Sequence, residues 1–307
     1  MVTLNRLWVL GMAAILSGCL VGPDYERPEI LMPDAWRVEY ESAAELINAR
    51  WWHGFGDPVL DELIVTALQE NQDVRIAAAR VAQFLGALRS TRSQFYPQAD
   101  YGGSASRNRV SEEAFGFGAG GDPYFTQFEA AGGVSWQVDL FGRVRRQTEA
   151  AQADVYATEQ ARRGVILSLV AGVASSYVAL LGLDGQLAIA EATLKNYEGT
   201  LRIFELRFTG GVVSKVELAQ VQSEYERARA QVPSFQAQVQ AQENLISILI
   251  GRHPGPILRG REIDDLNRPA VPSALPSSLL ERRPDVVQAE QNLIAANADL
   301  GVAQSLY

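Results

Sequence analysis

The spacing of apolar residues changes several times along the chain, and each change predicts a different element. From residue 58 to residue 95, apolar side chains recur mostly at intervals of three and four, which predicts one helix that ends before Pro97. Residues 126–140 instead alternate between apolar and polar positions, which predicts a long strand. The Gly- and Ser-rich stretch of about 98–110 predicts a second strand, with a weaker signal. The glycine-rich residues between the two predict a loop.

The alternation at residues 126–140 is long for a strand of a soluble protein. A strand of that length crosses a bilayer when it is tilted, as the strands of membrane barrels are. Its even-numbered positions are mostly apolar and its odd-numbered positions mostly polar, so one face is expected to meet lipid and the other water. The residues predicted for this membrane strand are Phe128, Val134, Trp136 and Val138. A long hairpin in a soluble sheet remains the alternative.

Residues 143–250 predict an antiparallel coiled-coil hairpin. Apolar residues follow alternating steps of three and four up to Phe208, and the same rhythm returns from Val221 onward. The intervening "TGGVVS" breaks the pattern and predicts a tip near residues 207–217, with Ser214 capping the second helix. Pro233 is expected to kink that second helix.

The N-terminus predicts a secreted protein with a lipid anchor. Residues 1–18 contain one charge followed by an apolar run too short for a transmembrane helix, which is typical of a signal peptide. The stretch "LSGC" resembles a bacterial lipobox, in which Cys19 becomes the lipidated first residue of the mature chain, with an acyl group such as palmitate. Residues 19–57 then form a proline-containing extended segment. The alternative is an ordinary signal peptide with an incidental cysteine.

Two distant stretches of the chain have matching apolar positions. When Asp73 is placed on Asp285, "NQDVRIAAARVAQFLGALRSTRSQF" aligns with "RRPDVVQAEQNLIAANADLGVAQSLY". Such a long-period match predicts tandem units. Residues 58–257 are therefore expected to form a first structural repeat, and residues 258–307 a linker with the first helix of an incomplete second repeat.

Composition and motifs predict no enzyme. The formal net charge of −9 argues against nucleic acid as a partner, since there is no basic surplus to neutralise phosphates. His53 and His253 are the only histidines and each lies beside turn-forming residues, so surface loops are favoured over a metal site. No phosphate loop or nucleophile elbow occurs, and "GFGAGG" lacks the following Lys-Ser/Thr. No catalytic, cofactor-binding or metal-binding residue is therefore predicted.

Six stretches, in order, resemble the outer membrane factor family, the TolC-like channels, and in particular its NodT-type lipoprotein branch. They are "LSGCLVGPDYERP", "WWHGFGDPVLDELI", "ENQDVRIAAARV", "SWQVDLFGRVRR", "RFTGGVVSKVELAQVQSE" and "LPSSLLERRPDVVQAEQNLIAANADLG". The resemblance implies a mainly α fold with a small membrane β part, in which long coiled-coil hairpins and β-hairpins form the α-barrel and β-barrel of a homotrimer. It also implies an outer membrane location with a periplasmic helical part.

The same resemblance implies a passive exit duct for small molecules. An inner membrane pump would drive export through a periplasmic adaptor, a membrane fusion protein, and outer membrane lipid would surround the strands. The residues carried over to the adaptor-contacting tip are Arg207, Gly210, Val212 and Ser214. The alternative for Gly210 and Ser214 is that they only cap helices. For the whole chain, the alternatives are a lipid-anchored periplasmic coiled-coil scaffold or a non-functional fragment of the channel.

The chain covers roughly the first two thirds of the family pattern, without the second pair of strands and the second helical hairpin. Three copies with two strands each would offer six strands, fewer than the roughly eight of the smallest usual bacterial barrels. We therefore predict that the 307-residue chain alone does not conduct ions. Single-channel recording of the purified chain tests this expectation, and a stepwise current would contradict it.

Overall fold

The computed structural model describes residues 21–27, 50–109, 124–268 and 282–307. Its main elements are helix α1 (Pro58–Glu70), helix α2 (Gln72–Ser93), strands β1 (Gln98–Arg109) and β2 (Tyr124–Ser135), and helices α3 (Arg143–Thr209), α4 (Lys215–Leu249) and α5 (Pro284–Gln304). Short 3-10 helices occupy Trp51–Phe55 and Ile263–Asp265. The predicted mainly α fold with a small β-hairpin is confirmed.

The chain divides into two compact units, which we name the strand unit and the hairpin unit. The strand unit consists of Met1–Pro28, Ala82–Ala157 and Glu290–Tyr307, and the hairpin unit consists of Glu29–Val81 and Thr158–Ala289. Helices α2, α3 and α5 each contribute one part to each unit.

The core of the hairpin unit begins with the capping of α1. The Asp57 side chain accepts hydrogen bonds from the backbone nitrogens of Val59 (2.8 Å) and Leu60 (3.4 Å), and proline occupies the first helical position. Leu60 and Ile64 are then fully buried in one cluster with residues of α3 and α4. Burying each of these aliphatic side chains contributes about 1.5–3 kcal/mol.

Helix α3 contains a stretch that is long and apolar enough to cross a membrane by length and composition alone. Its side chains Val173, Tyr177 and Leu180 are fully buried in the core of the hairpin unit. Tyr177 also forms two polar contacts there, described below. We therefore assign this stretch to the protein core.

The single helix predicted for residues 58–95 is wrong, because the chain breaks at Asn71. Asn71 has extended backbone angles (φ −61, ψ 132), and its side-chain oxygen accepts hydrogen bonds from the nitrogens of Asp73 (2.8 Å) and Val74 (3.1 Å). Its amide nitrogen donates to the carbonyl of Leu249 at 2.9 Å. The residue thus ends α1, caps α2 and binds the end of α4. The apolar rhythm continues across it, which is why periodicity alone missed the break.

The helical hairpin lies within the range predicted from the heptads. Helix α3 ends at Thr209 and α4 begins at Lys215, so the connecting turn falls inside the predicted tip. Helix α4 continues through Pro233 without a second helix start. Pro233 and Arg229, one turn earlier, are both exposed, so water can solvate the carbonyl that the proline leaves without a donor.

The ends of α2 and α5 agree with the sequence repeat. The alignment that places Asp73 on Asp285 also places the first residue of α2, Gln72, on the first residue of α5, Pro284. Their last residues, Ser93 and Gln304, differ by a single position in that alignment. The two copies therefore have nearly equal helix lengths, 22 and 21 residues, as well as a common apolar pattern.

A buried hydroxyl holds the segment after α4 against the hairpin unit. The Tyr177 hydroxyl donates to Asp57 Oδ2 at 2.8 Å and accepts from the backbone nitrogen of Gly260 at 2.9 Å. A Cβ on Gly260 would lie 2.1 Å from Asp57 Oδ1, so only glycine permits this approach. Burial and the hydrogen bond to the Asp57 carboxylate raise the pKa of Tyr177 to about 12, although the hydrogen bond from the Gly260 nitrogen lowers it.

We predict that Tyr177→Phe lowers the free energy of unfolding by about 1–3 kcal/mol, since Asp57 and the Gly260 nitrogen lose a buried partner. Because the folded pKa lies above the ordinary value of 10, the stabilisation by Tyr177 is present below pH 10 and lost as the pH rises through about 12. Denaturant titrations at several pH values measure both effects. Tyr197→Phe, on the same helix, is the control and should change stability by less than about 0.5 kcal/mol. Equal losses in the two variants would contradict the prediction.

Candidate functional site

The two strands form one antiparallel pair whose register sorts side chains by polarity. Gln98 pairs with Ser135 and Arg109 with Tyr124, so every cross-strand pair shares a face. One face carries Ala99, Tyr101, Gly103, Ala105, Arg107 and Arg109 of β1 with Tyr124, Thr126, Phe128, Ala130, Gly132 and Val134 of β2. The other face carries Gln98, Asp100, Gly102, Ser104, Ser106 and Asn108 with Phe125, Gln127, Glu129, Ala131, Gly133 and Ser135. We call them the apolar face and the polar face.

The apolar face lies uncovered within this chain. All residues of β1 and β2 are exposed, and the exposed fraction reaches 96% for Tyr101, 79% for Phe128 and 75% for Val134. A two-stranded hairpin is marginally stable by itself in water, and large uncovered apolar surfaces usually mark a site of contact. The face therefore requires an apolar environment that this chain does not provide among its described residues.

The predicted membrane-strand residues divide into two groups. Phe128 and Val134 lie in β2 on the apolar face, but Trp136 and Val138 lie after its last residue, Ser135. The strand prediction to residue 140 was too long. The pairing ends because the position before Gln98 is Pro97, which has no N–H to donate to a ladder.

Trp136 has a separate role just after the strand. Its indole nitrogen donates to the carbonyl of Phe95 at 3.1 Å, which joins the segment after β2 to the connection between α2 and β1. Val138, Leu140 and Phe141 follow with more than half of each side chain exposed. An exposed apolar belt therefore lies between β2 and α3.

Arg146, near the start of α3, clamps the N-terminal segment. It is buried, and its guanidinium donates to the carbonyl of Gly22 (3.0 Å), to Asp24 Oδ1 (2.8 Å) and to Glu149 Oε2 (2.8 Å). Burial opposes its charge, but the bonds to Glu149 and Asp24 prevail and hold the pKa of Arg146 above its ordinary value. A Cβ on Gly301 would lie 3.0 Å from the Arg146 side chain, so a glycine of α5 makes room for it.

The segment held by Arg146, residues 21–27, begins two positions after the predicted lipidation site, Cys19. The nitrogen of Val21 donates to the carbonyl of Phe141 at 3.4 Å, which holds the segment beside the exposed belt. Farther along, Arg27 forms an ion pair of 2.9 Å with Glu290 of α5. Cys19 itself lies outside the described residues. Sequence reasoning missed Arg146, because one arginine among those of "FGRVRR" carries no signal of burial.

At the tip between α3 and α4, some residues cap the helices and others expose their side chains to solvent. Gly211 has φ +71, and the nitrogen of Val212 donates to the carbonyl of Arg207 at 2.9 Å, which closes α3. Ser214 Oγ accepts from the nitrogen of Glu217 at 3.2 Å, while the Ser214 nitrogen donates to the Glu217 carboxylate at 2.7 Å. This confirms that Ser214 caps the second helix, and Glu217 completes a capping box.

The four residues predicted for the tip therefore differ in what they can contact. Gly210 and Ser214 have structural roles in ending one helix and starting the next. Arg207 and Val212 are exposed, Val212 by 75%, and Val216 extends the exposed apolar surface. No three His, Cys, Asp or Glu side chains within the described ranges stand close enough together to hold a metal ion.

Comparisons with known proteins agree with this architecture. Residues 63–252 match the family model described as outer membrane efflux protein. The probable efflux pump outer membrane protein TtgC of Pseudomonas putida is 34% identical over 303 residues, which is 96% of this chain and 62% of that protein. The cation efflux system protein CusC of Escherichia coli O6:H1 is 32% identical over 96% of this chain and 64% of its own length.

Solved structures give the same result for the fold. A crystal structure of CusC superposes with a TM-score of 0.74 at 30% identity, over 93% of this chain and 64% of that one. The open-state MtrE channel of Neisseria gonorrhoeae superposes with a TM-score of 0.74 at 27% identity, over 93% and 63%. The chain thus spans less than two thirds of the length of the relatives it matches.

We predict that Arg146→Gln releases the N-terminal segment and lowers the free energy of unfolding by about 1–3 kcal/mol, because the Gly22 carbonyl loses a buried donor while the carboxylates of Asp24 and Glu149 remain exposed to water. Limited proteolysis between residues 21 and 27 and thermal unfolding measure the two effects. Arg163→Gln is the matched control, since it removes one exposed arginine of the same helix. If both variants behave alike, the clamp is not what holds the segment.

Proposed function

This chain belongs to the outer membrane efflux protein family, and we propose that it is a channel-forming component of the outer membrane through which small molecules leave the cell. The polar face of the hairpin lines the water-filled path, and the apolar face meets lipid. The uncovered apolar face of β1 and β2 is the observation that carries this proposal.

The backbone of the hairpin sets the requirement for further strands. Each strand of the described hairpin pairs along one edge only. Within a bilayer an unpaired edge is costly, because no water replaces the missing partners, so spanning strands must close into a barrel. Copies of the chain around a three-fold axis, each with further strands of the channel, would provide that closure. The assembly we propose is therefore a homotrimer.

The helical hairpin extends the path on the periplasmic side. Helix α3 is 67 residues long, which at about 1.5 Å per residue gives a length of about 100 Å. At its far end the exposed Arg207 and Val212 offer one charged and one apolar contact to a periplasmic adaptor. An inner membrane pump connected through that adaptor would supply the energy, so the duct itself needs no nucleotide.

The predicted lipid anchor at Cys19 is consistent with the proposed position of the hairpin in the membrane. Val21 is held at Phe141, and Cys19 precedes it by only two positions. Acyl chains on Cys19 would therefore enter the membrane beside the exposed belt that follows β2. This localises the chain to the outer membrane, with its helices on the periplasmic side.

A lipid-anchored periplasmic scaffold is the competing function. It requires Tyr101, Phe128 and Val134 to remain in water, where a contiguous apolar face is unfavourable. A non-functional fragment of the channel would keep the hairpin but never enter a membrane. The solvent accessibility of the two faces of β2 distinguishes the channel from both alternatives, because only the channel places one face in lipid and the other in water.

We predict that single cysteines on adjacent positions of β2 label differently in outer membranes. Gln127→Cys on the polar face should react with a water-soluble maleimide, because it faces the water-filled path. Phe128→Cys should be protected from that reagent and reached by a lipid-soluble one, since it faces hydrocarbon. Equal labelling of both positions by the water-soluble reagent would refute the channel and support the scaffold.

A further inference from the structure

The N-terminal segment, residues 21–27, runs along α5, and we name it the strap. A Cβ on Gly22 would lie 2.5 Å from the Cα of Gly301, near the end of α5, and Gly22 has φ +105. Only glycine permits this crossing of two backbones. One position later, the carbonyl of Pro23 accepts a hydrogen bond of 2.9 Å from the side-chain nitrogen of Asn297. The strap therefore follows α5 from its end toward its beginning.

The contact continues on the first half of α5. Glu290 accepts a hydrogen bond of 3.5 Å from the hydroxyl of Tyr25 and forms the ion pair of 2.9 Å with Arg27. An extended chain from Gly22 to Arg27 spans about 16 Å, at about 3.3 Å per residue. Helix α5 rises by about 16 Å between Gly301 and Glu290, at about 1.5 Å per residue. The matching lengths show that an extended strap reaches all of these partners on α5.

Helix α3 binds the same strap from another side. Arg146 donates to the carbonyls of Val21 at 3.3 Å and of Gly22 at 3.0 Å. The Arg146 side chain also passes Gly301, where a Cβ would lie 3.0 Å from it. The start of α3, the strap and the end of α5 therefore meet at one point, and the strap joins the two helices.

Apolar packing by itself gives α5 little attachment. The buried residues of this helix are all small: Ala295, Ala298 and Gly301. Its larger side chains Leu293 and Leu300 are exposed by 46% and 57%. Because the hydrophobic gain is proportional to the apolar area buried, such small residues contribute little of it. The polar contacts of the strap are therefore a large share of what holds α5 in place.

Helix α2, the repeat counterpart of α5, lacks the groups that bind the strap. In the alignment of the two copies, the strap-binding positions of α5 fall on different residue types: Glu290 on Ala78, Asn297 on Leu85 and Gly301 on Arg89. Alanine and leucine have no polar group to replace the lost partners, and an arginine side chain would fill the place of the glycine crossing. Two helices with a common apolar pattern can exchange places unless a specific contact distinguishes them. The strap supplies such a contact.

We propose that the strap holds α5 against α3 and selects α5 rather than α2 for this place. The binding site consists of Arg146, Glu290, Asn297 and Gly301, and its ligand is the N-terminal segment of the same chain. Because the strap contacts both helices, its binding and the docking of α5 are coupled, and such coupling is reciprocal. This role is independent of whether the hairpin enters a membrane.

The first experiment gives α5 the residues of α2 at two strap-binding positions, in the full chain. Glu290→Ala with Asn297→Leu removes the polar partners of the strap, while alanine and leucine favour a helix at least as well as the residues they replace. We expect chymotrypsin to cut after Tyr25 about tenfold faster, because the strap is released. Hydrogen–deuterium exchange of α5 should also rise about tenfold, whereas exchange of α2 should stay at the wild-type rate.

Asn292→Arg is the matched control for this double variant. It places the α2 residue, Arg80, at an exposed position of α5 and changes the net charge by the same amount. Both the cleavage after Tyr25 and the exchange of α5 should keep their wild-type rates. Equal effects in the control and in the double variant would overturn the proposal.

The second experiment changes only the strap. Gly22→Ala places a Cβ where the backbone of Gly301 lies, so we expect faster cleavage after Tyr25 and about tenfold faster exchange of α5. Glu26→Ala, at an exposed position of the strap, is the control and should change neither rate. Faster cleavage without faster exchange of α5 overturns the proposal, since α5 would then stay docked without the strap. Equal acceleration in α2 and α5 also overturns it, because the loss would then be general.

Discussion

The register of β1 against β2 decides how this hairpin meets its surroundings. Side chains alternate with a period of two, so a slip by a single residue would place Tyr101 on the same face as Gln127 and Glu129 of β2. Pairing Gln98 with Ser135 instead brings Tyr101, Phe128 and Val134 to one face. The proposed membrane role of the hairpin depends on this one alignment.

The hairpin unit depends on polar contacts at the ends of its helices as much as on its apolar core. Asn71 binds the last turn of α4, and Tyr177 binds both the cap of α1 and the segment after α4. Arg259 in that segment forms an ion pair with Asp184 of α3 at 2.8 Å, and the hydrogen bond to Asp184 raises the pKa of Arg259 above its ordinary value, although burial opposes this. These contacts fix the ends of α1 and the start of α2, and they hold the segment after α4 against α3.

The contacts of the strand unit hold the β-hairpin at a defined place. Trp136 joins the two ends of the hairpin through Phe95, and Arg146 holds the N-terminal segment beside Phe141. Trp136 acts on a backbone carbonyl, whereas Arg146 binds a backbone carbonyl and the carboxylates of Asp24 and Glu149. The proposed lipid on Cys19 would also hold the N-terminal segment at the membrane, beside Phe141.

The sequence by itself determined the elements whose signal is local: the alternating faces of β2, the heptads of α3 and α4, the capping box at Ser214 and the repeat that relates α2 to α5. It did not reveal the break at Asn71, because apolar spacing continued across it, or the end of β2 at Ser135, because alternation does not show where a partner strand stops. The burial of Arg146 and the approach of Gly22 to Gly301 were decided by tertiary structure alone. Such contacts join residues far apart in the chain, and periodicity reports only on neighbours.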